Sequence, residues 1–317
     1  MKTPTHWQTK NILARLLYVP SCGYAAATWL RLKLAKPQHV SIPVICIGNL
    51  TAGGSGKTPV AISIAHLLKQ KGKNPFFVSR GYGGKLQDVV VNPKEHRPDQ
   101  VGDEPLLLAQ TAPVVVNRQR YLAATKAINN GADIIIMDDG FQNPTLYKDI
   151  SLLVIDGQFG LGNTYPIPAG PMREFLSEGR KRANGIILLG PDKNNVLSHF
   201  KGLPVFKGEL TPMAPHLKHR NAIAFAGIGR PEKFYQSLKA CHINLIKTVD
   251  FPDHHFYQRG ELENIITEAK TLDADIFTTA KDMVKIPEDL KQYFQVLEIT
   301  IKWQDQQSLQ NFLLKSV

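Results

Sequence analysis

Hydrophobic residues along this chain fall into short β-branched runs that alternate with stretches apolar at every third or fourth position. That is the pattern of an α/β protein on a mainly parallel sheet. Strands are predicted at 44–47, 75–79, 114–116, 134–137, 152–155 and 185–189, with helices at 58–71 and 121–129. A passage rich in Pro and Lys, 190–220, has no clear period and reads as a linker. Beyond it a second unit is predicted, with strands at 222–225, 245–249, 276–278 and 294–299 and helices at 231–239 and 261–270. Ahead of both, Ile12, Leu13, Leu16 and Leu17 recur at helical spacing, with Lys10, Asn11 and Arg15 on the other side. Pro20 to Gly23 predicts a break, followed by an Ala-rich helix carrying Trp29, Leu30, Arg31, Leu32, Lys33 and Leu34. The expected division is a helical segment 1–36, a larger α/β unit 37–205 and a smaller α/β unit 206–317.

Charge sharpens the reading of that first segment. The chain carries a formal net charge of +11, yet no Asp or Glu precedes Asp88, so all of the excess positive charge lies at the N-terminal end. Nucleic acid and an anionic membrane surface both suit a basic end. The uncharged run between Arg15 and Arg31 holds 15 residues. A spanning helix needs about 20 apolar residues, so a basic amphipathic pair lying in the membrane interface is expected instead. The three cysteines, Cys22, Cys46 and Cys241, form no CxxC pair and indicate neither a disulfide framework nor a zinc site.

The strongest chemical signal is Thr51-Ala52-Gly53-Gly54-Ser55-Gly56-Lys57-Thr58, placed between a buried strand and a helix. Thr51 stands where the general phosphate-binding loop begins with Gly. Gly53, Gly54, Ser55 and Gly56 let the backbone curl round phosphate oxygens at a helix N-terminus. Lys57 is expected on the β- and γ-phosphates of ATP, and Thr58 on Mg2+. The run Ile134-Ile135-Ile136-Met137 ends in Asp138 and Asp139: Asp138 is expected on Mg2+, Asp139 beside it. The fold class is therefore α/β, a P-loop NTPase-like mainly parallel sheet with a second, smaller α/β domain and an N-terminal amphipathic helical segment.

Further segments run in order along most of the chain: Ser79-Arg80-Gly81-Tyr82-Gly83-Gly84, Gly102-Asp103-Glu104-Pro105, Asp138-Asp139-Gly140-Phe141-Gln142, Pro168-Ala169-Gly170-Pro171-Met172-Arg173-Glu174, Phe225-Ala226-Gly227-Ile228-Gly229, Asp253-His254-His255-Phe256-Tyr257 and Thr278-Thr279-Ala280-Lys281-Asp282. With the phosphate loop they resemble the tetraacyldisaccharide 4′-kinases of lipid A biosynthesis. The resemblance implies transfer of the ATP γ-phosphate to the 4′-hydroxyl of a tetraacyl glucosamine disaccharide 1-phosphate, giving lipid IVA. It also implies a peripheral enzyme on the cytoplasmic face of the inner membrane, and a monomer is expected.

By the same resemblance Asp103 is the catalytic base and His254 its partner, although the doublet leaves His255 open. Softer expectations put Glu104 near the metal, Tyr82 on the sugar, Arg118 or Arg120 on γ-phosphate charge, and Arg173 on an anionic group of the substrate. Two rivals remain in the residues themselves. A membrane-associated ATPase switch of the partition type has a similar loop, but carries a lysine where this chain has Ala52. A nucleic-acid-binding NTPase would need basic residues clustered with aromatics, and those are not evident, so no nucleic-acid partner is expected.

Overall fold

Val44, Ile45, Cys46 and Ile47 are all fully buried, as a strand covered on both faces requires. That strand, β1 (Val44–Gly48), is the centre of a nine-stranded sheet in a computed structural model that describes residues 4–213 and 221–315. The sheet also takes in β2 (Pro75–Ser79), β3 (Val89–Val90), β4 (Val114–Val116), β5 (Ile134–Asp138), β6 (Ile150–Asp156), β7 (Gly185–Leu189), β8 (Val205–Pro212) and the late β13 (Ile299–Trp303). Their order is β13-β8-β7-β6-β1-β5-β2-β4-β3, antiparallel only where β3 meets β4 and β13 meets β8. Helices α3 (Lys57–Lys69), α4 (Pro98–Val101), α5 (Asp103–Ala109), α6 (Arg120–Asn129) and α7 (Leu176–Arg182) connect its strands.

The second sheet is parallel throughout, in the order β10-β9-β11-β12, from β9 (Asn221–Ala226), β10 (Asn244–Asp250), β11 (Asp275–Thr278) and β12 (Gln295–Val296). Its helices are α8 (Pro231–Ala240), α9 (Arg259–Thr271) and the short α10 (Ala280–Met283). The final helix, α11 (Gln306–Lys315), buries Leu309 and Leu313 in the core of the large sheet.

Three expectations are corrected here. The linker expected at 190–220 contains a 3-10 turn at Val196–Phe200 and all of β8, while its residues 214–220 lie outside those described. In β8 the buried positions alternate, Phe206 and Gly208 inward, with Lys207 and Glu209 between them. Glycine is needed at 208 because a Cβ there would meet Ile301 at 2.7 Å. The strand expected at 294–299 is two strands in different sheets: the chain leaves β12 and crosses back to pair Ile301 with Leu210. The division expected at 205/206 therefore cuts through the large sheet.

The third correction concerns the N-terminal helices, α1 (Ile12–Leu16) and α2 (Tyr18–Leu34), which meet at Leu17 rather than at Pro20–Gly23. Pro20 lies in the first turn of α2, where its missing N–H has no helical partner to lose. Small residues face the protein: Ala14, Ser21, Ala25 and Thr28 are buried, and Ser21 Oγ accepts from Ala169 N at 2.9 Å. The large residues face outward, with Ile12 78%, Leu16 71%, Val19 77% and Leu34 70% exposed. Among the described residues no helix is long and apolar enough to cross a membrane.

Candidate active site

The phosphate loop lies between β1 and α3, at the carboxyl end of the parallel strands, where open α/β sheets place their ligands. Gly56 turns the chain into α3 with φ +84°, and a Cβ there would meet Leu189 at 2.6 Å. The loop is braced internally by Asn49 Nδ2, which donates to Thr51 O at 2.7 Å and to Ser55 Oγ at 3.0 Å. Ala52 N donates to Pro171 O at 2.7 Å, tying it to a neighbouring segment. Gly53, Gly54, Ser55, Gly56, Lys57 and Thr58 all line one large cleft, and Thr51 lines a small adjoining pocket.

β1 pairs in parallel with β5, which brings the end of β5 to the loop. There Thr58 Oγ1 donates to Asp138 Oδ2 at 3.1 Å, while the buried Asp138 Oδ1 has no hydrogen-bond partner. Burial, helped by the charge of Glu104, pushes the Asp138 carboxyl up to about 7. A buried carboxylate oxygen lacking a partner beside a hydroxyl is what a divalent cation would relieve. Among the described residues no cluster of three or more His, Cys, Asp or Glu could hold a metal alone. Mg2+ keeps waters and substrate phosphates in its shell, so a hydroxyl and one carboxylate fit it.

Asp139 is placed differently. Its Oδ1 lies 2.8 Å from Arg173 Nη1 and 3.7 Å from Lys57 Nζ. Burial would raise its carboxyl, but Lys57 and Arg173 outweigh it and hold the group below the usual range. Asp139 thus steadies Lys57. Arg173, expected on an anionic group of the substrate, is already paired with this carboxylate.

Asp103 opens α5 and is 5% exposed. His254 follows β10 from the other sheet, in a left-handed conformation with φ +62°. The fold brings them together across 151 positions: His254 Nδ1 lies 3.0 Å from Asp103 Oδ2 and 3.2 Å from Oδ1. The neighbouring His255 turns away, its Nε2 2.9 Å from Glu261 Oε2 and its ring stacked on Phe251 at 4.9 Å. Burial would lift the Asp103 carboxyl, yet the hydrogen bond from His254 and the charge of Lys281 prevail and lower it.

Lys281, at the start of α10, is the group that sequence reasoning left without a role. Its Nζ is 3.2 Å from His254 Nε2, 3.4 Å from Glu104 and Asp253, and 3.8 Å from Asp103. Burial opposes its charge, but Glu104, Asp103 and Asp253 raise its pKa. Nδ1 of His254 carries a proton toward the Asp103 carboxylate, and that hydrogen bond raises the imidazole pKa, while Nε2 faces the Lys281 ammonium. The Glu104 carboxylate is engaged with Lys281 rather than waiting for a metal. The only advance signal for Lys281 was the segment Thr278-Thr279-Ala280-Lys281-Asp282.

Two more expected residues face the cleft. Arg120 is buried, donates from Nη1 to Asn117 O at 2.9 Å, and leaves Nε without a partner. Burial, together with Arg80, lowers it to about 10, the mark of a cation short of an anion. Tyr82 is exposed, its ring 5.3 Å from that of His254. Arg118 also lines the cleft, and so does Arg31 of α2, which donates to Gln142 O at 3.4 Å. The cleft therefore runs from the phosphate loop to the N-terminal helices.

Comparison with known proteins finds relatives along nearly the whole chain. The family model for LpxK, tetraacyldisaccharide-1-P 4′-kinase, matches residues 13–317. The tetraacyldisaccharide 4′-kinase of Rhodospirillum centenum is 42% identical, covering 99% of this chain and 96% of its own. That of Rhodospirillum rubrum is 44% identical over 95% of this chain and 93% of its own. The crystal structure of LpxK from Aquifex aeolicus in complex with ATP superposes with a TM-score of 0.79 at 28% identity, covering 96% of this chain and 99% of that one.

Proposed function

Since the chain belongs to the tetraacyldisaccharide-1-P 4′-kinase family and is an ATP-dependent kinase of that kind, we propose that its chemistry is divided across the cleft between the two sheets. One observation carries the proposal: His254, hydrogen-bonded to Asp103, lines the same cleft as the phosphate loop. The reaction moves the γ-phosphate of ATP to the 4′-hydroxyl of a tetraacyl disaccharide 1-phosphate, which yields lipid IVA. Asp103 accepts the hydroxyl proton as the sugar oxygen bonds to phosphorus. His254 aims that carboxylate, and Lys281 holds the imidazole from its far side. Lys57 and Arg120 supply positive charge around the phosphates, where phosphoryl transfer gains most. Thr58 and Asp138 would hold Mg2+, which would neutralise the charge that develops on the phosphates. Tyr82 sits at the acceptor side. A single chain provides every one of these groups, so a monomer suffices.

The test is transfer of labelled γ-phosphate to a lipid A disaccharide precursor. A phosphorylated lipid is the expected product; ATP hydrolysis stimulated by anionic vesicles without an acceptor would instead favour the partition-type switch. Metal dependence offers a second check. An Asp138 pKa near 7 makes Mg2+ compete with a proton. The carboxylate is about a tenth ionised at pH 6 and about nine tenths at pH 8, so apparent Mg2+ affinity should rise about tenfold between them. Calorimetry in buffers of different ionisation enthalpy reads the released proton directly. A pH-independent affinity would remove Asp138 from the metal site.

We further propose that α1 and α2 seat the enzyme on the cytoplasmic face of the inner membrane, where its glycolipid substrate resides. Their outward apolar residues and basic charge are the composition of an interfacial helix. Glutamate at Ile12, Leu16 and Val19 together is expected to weaken binding to anionic vesicles more than tenfold. Turnover on detergent-dispersed acceptor should change less than twofold. Unchanged vesicle binding would reject the anchoring role.

A further inference from the structure

The loop that backs His254 carries an unused cation to the other end of the cleft. His254 N donates to Gly227 O at 3.2 Å, and three residues later Arg230 stands at the N-terminus of α8. Its guanidinium carbon lies over Phe159, 3.8 Å from the ring centroid, and its Nη1 is 3.9 Å from Asp156 Oδ2. Asp156 is the buried last residue of β6, and its principal partner is Lys233, one turn into α8. A contact of 3.9 Å is too long for a hydrogen bond. Arg230 therefore donates none among the described residues, although its side chain is only 19% exposed. Burial lowers its pKa in spite of Asp156 and Glu232. Five N–H donors are held in place beside the phosphate loop: Nη2 comes within 3.7 Å of where a Cβ on Gly53 would sit.

Such a site lacks a multi-oxygen anion, and the phosphate loop is where one arrives. We propose that Arg230 is a phosphate ligand supplied from the second sheet, closing on the polyphosphate tail of the bound nucleotide. Phe159 fixes the plane of the guanidinium, and Asp156, satisfied mainly by Lys233, holds it ready without consuming its donors. A charge-assisted fork of this kind fits phosphate in a way that lysine does not.

The inference rests on the reading that Lys57 and its loop bind ATP, and the test separates the two. Arg230→Gln, Arg230→Lys and Lys57→Ala are compared by steady-state kinetics and by thermal stabilisation with MgATP and MgADP. For Arg230→Gln the KM for MgATP should rise more than tenfold and the stabilisation by MgATP should largely vanish. The KM for the lipid acceptor should stay within twofold, and the melting temperature without nucleotide should be unchanged. Arg230→Lys should restore only part of the loss, and added guanidinium ion should rescue Arg230→Gln in part. An ATP response like that of the parent chain overturns the proposal, as does an equal rise in both KM values, which marks a general effect on how the sheets meet. If Lys57→Ala also binds MgATP normally, the phosphate-loop reading itself has failed.

Discussion

Replacing Asp103 by alanine is expected to lower kcat by about 100- to 10,000-fold, the range that general-base catalysis contributes, while MgATP binding changes less than threefold. Asp103 is hydrogen-bonded to His254, which lines the cleft, and the phosphate loop keeps all of its own contacts without it. The group is also buried and held ionised by His254 and Lys281, so no solvent carboxylate substitutes for it. Single-turnover transfer of labelled phosphate with enzyme in excess isolates the step. A variant that retains a tenth or more of the parent rate would dismiss Asp103 as the base. His254→Gln should cost less, about 100-fold, because a misaimed base still exists. Its pH profile carries the more specific signature. The base works ionised, so activity is lost as pH falls through the Asp103 pKa. Removing the His254 hydrogen bond leaves burial as the dominant influence, which raises that pKa and moves the acid limb of kcat to higher pH. The profile is best recorded at saturating Mg2+, where the titration of Asp138 is suppressed. An unmoved limb would mean that His254 does not tune Asp103.

The ease with which parts of the site are read from the chain follows how local their physics is. Gly53 to Thr58 and Ile134 to Asp138 each declare themselves within a few residues, because a glycine turn opening a helix and an apolar strand ending in an acid are local statements. The pairing of Asp103 with His254 spans 151 positions, and no periodicity or spacing connects them; only resemblance to a known family linked the two motifs. Lys281 lay in one of the family segments without drawing a role, and Arg230 had no such help. A lysine on a four-residue helix and an arginine at a helix start look like surface charge until the fold closes over them. The architecture failed to show in the same way. β8 hides because its buried partners are Phe206 and a glycine, flanked by Pro204 and Pro212. The switch of sheets between β12 and β13 hides because the apolar residues from Phe294 to Ile301, interrupted only by Gln295, Glu298 and Thr300, give no sign of which partner each will find.

Replacing Asp282 by alanine is expected to destabilise the protein by about 3–5 kcal/mol, the range for breaking a buried ion pair by removing one partner. Asp282 is fully buried in α10, with Lys285 Nζ 2.6 Å away and that ammonium also 5.1 Å from the centroid of the Tyr257 ring. Its two oxygens accept from Gly227 N at 3.0 Å, Thr279 Oγ1 at 2.7 Å and Tyr257 OH at 2.8 Å, while its backbone N donates to Thr279 Oγ1 at 3.1 Å. Alanine leaves Lys285 charged in an apolar site and releases the Gly227 loop, the Tyr257 segment and α10 from one another. Those three elements carry Arg230, His254 and Lys281, so the loss should be functional as well as structural. Urea unfolding measures the first effect. The second appears as a drop in kcat at temperatures where the variant is still folded, through loss of the geometry that lines His254 up with Asp103. Asp282→Ala combined with Lys285→Met removes both charges and should recover part of the stability without recovering kcat, since the anchor for Gly227 N and Tyr257 OH stays absent. Full recovery of turnover in the double variant would show that the carboxylate only balances Lys285 and does not organise the catalytic loops.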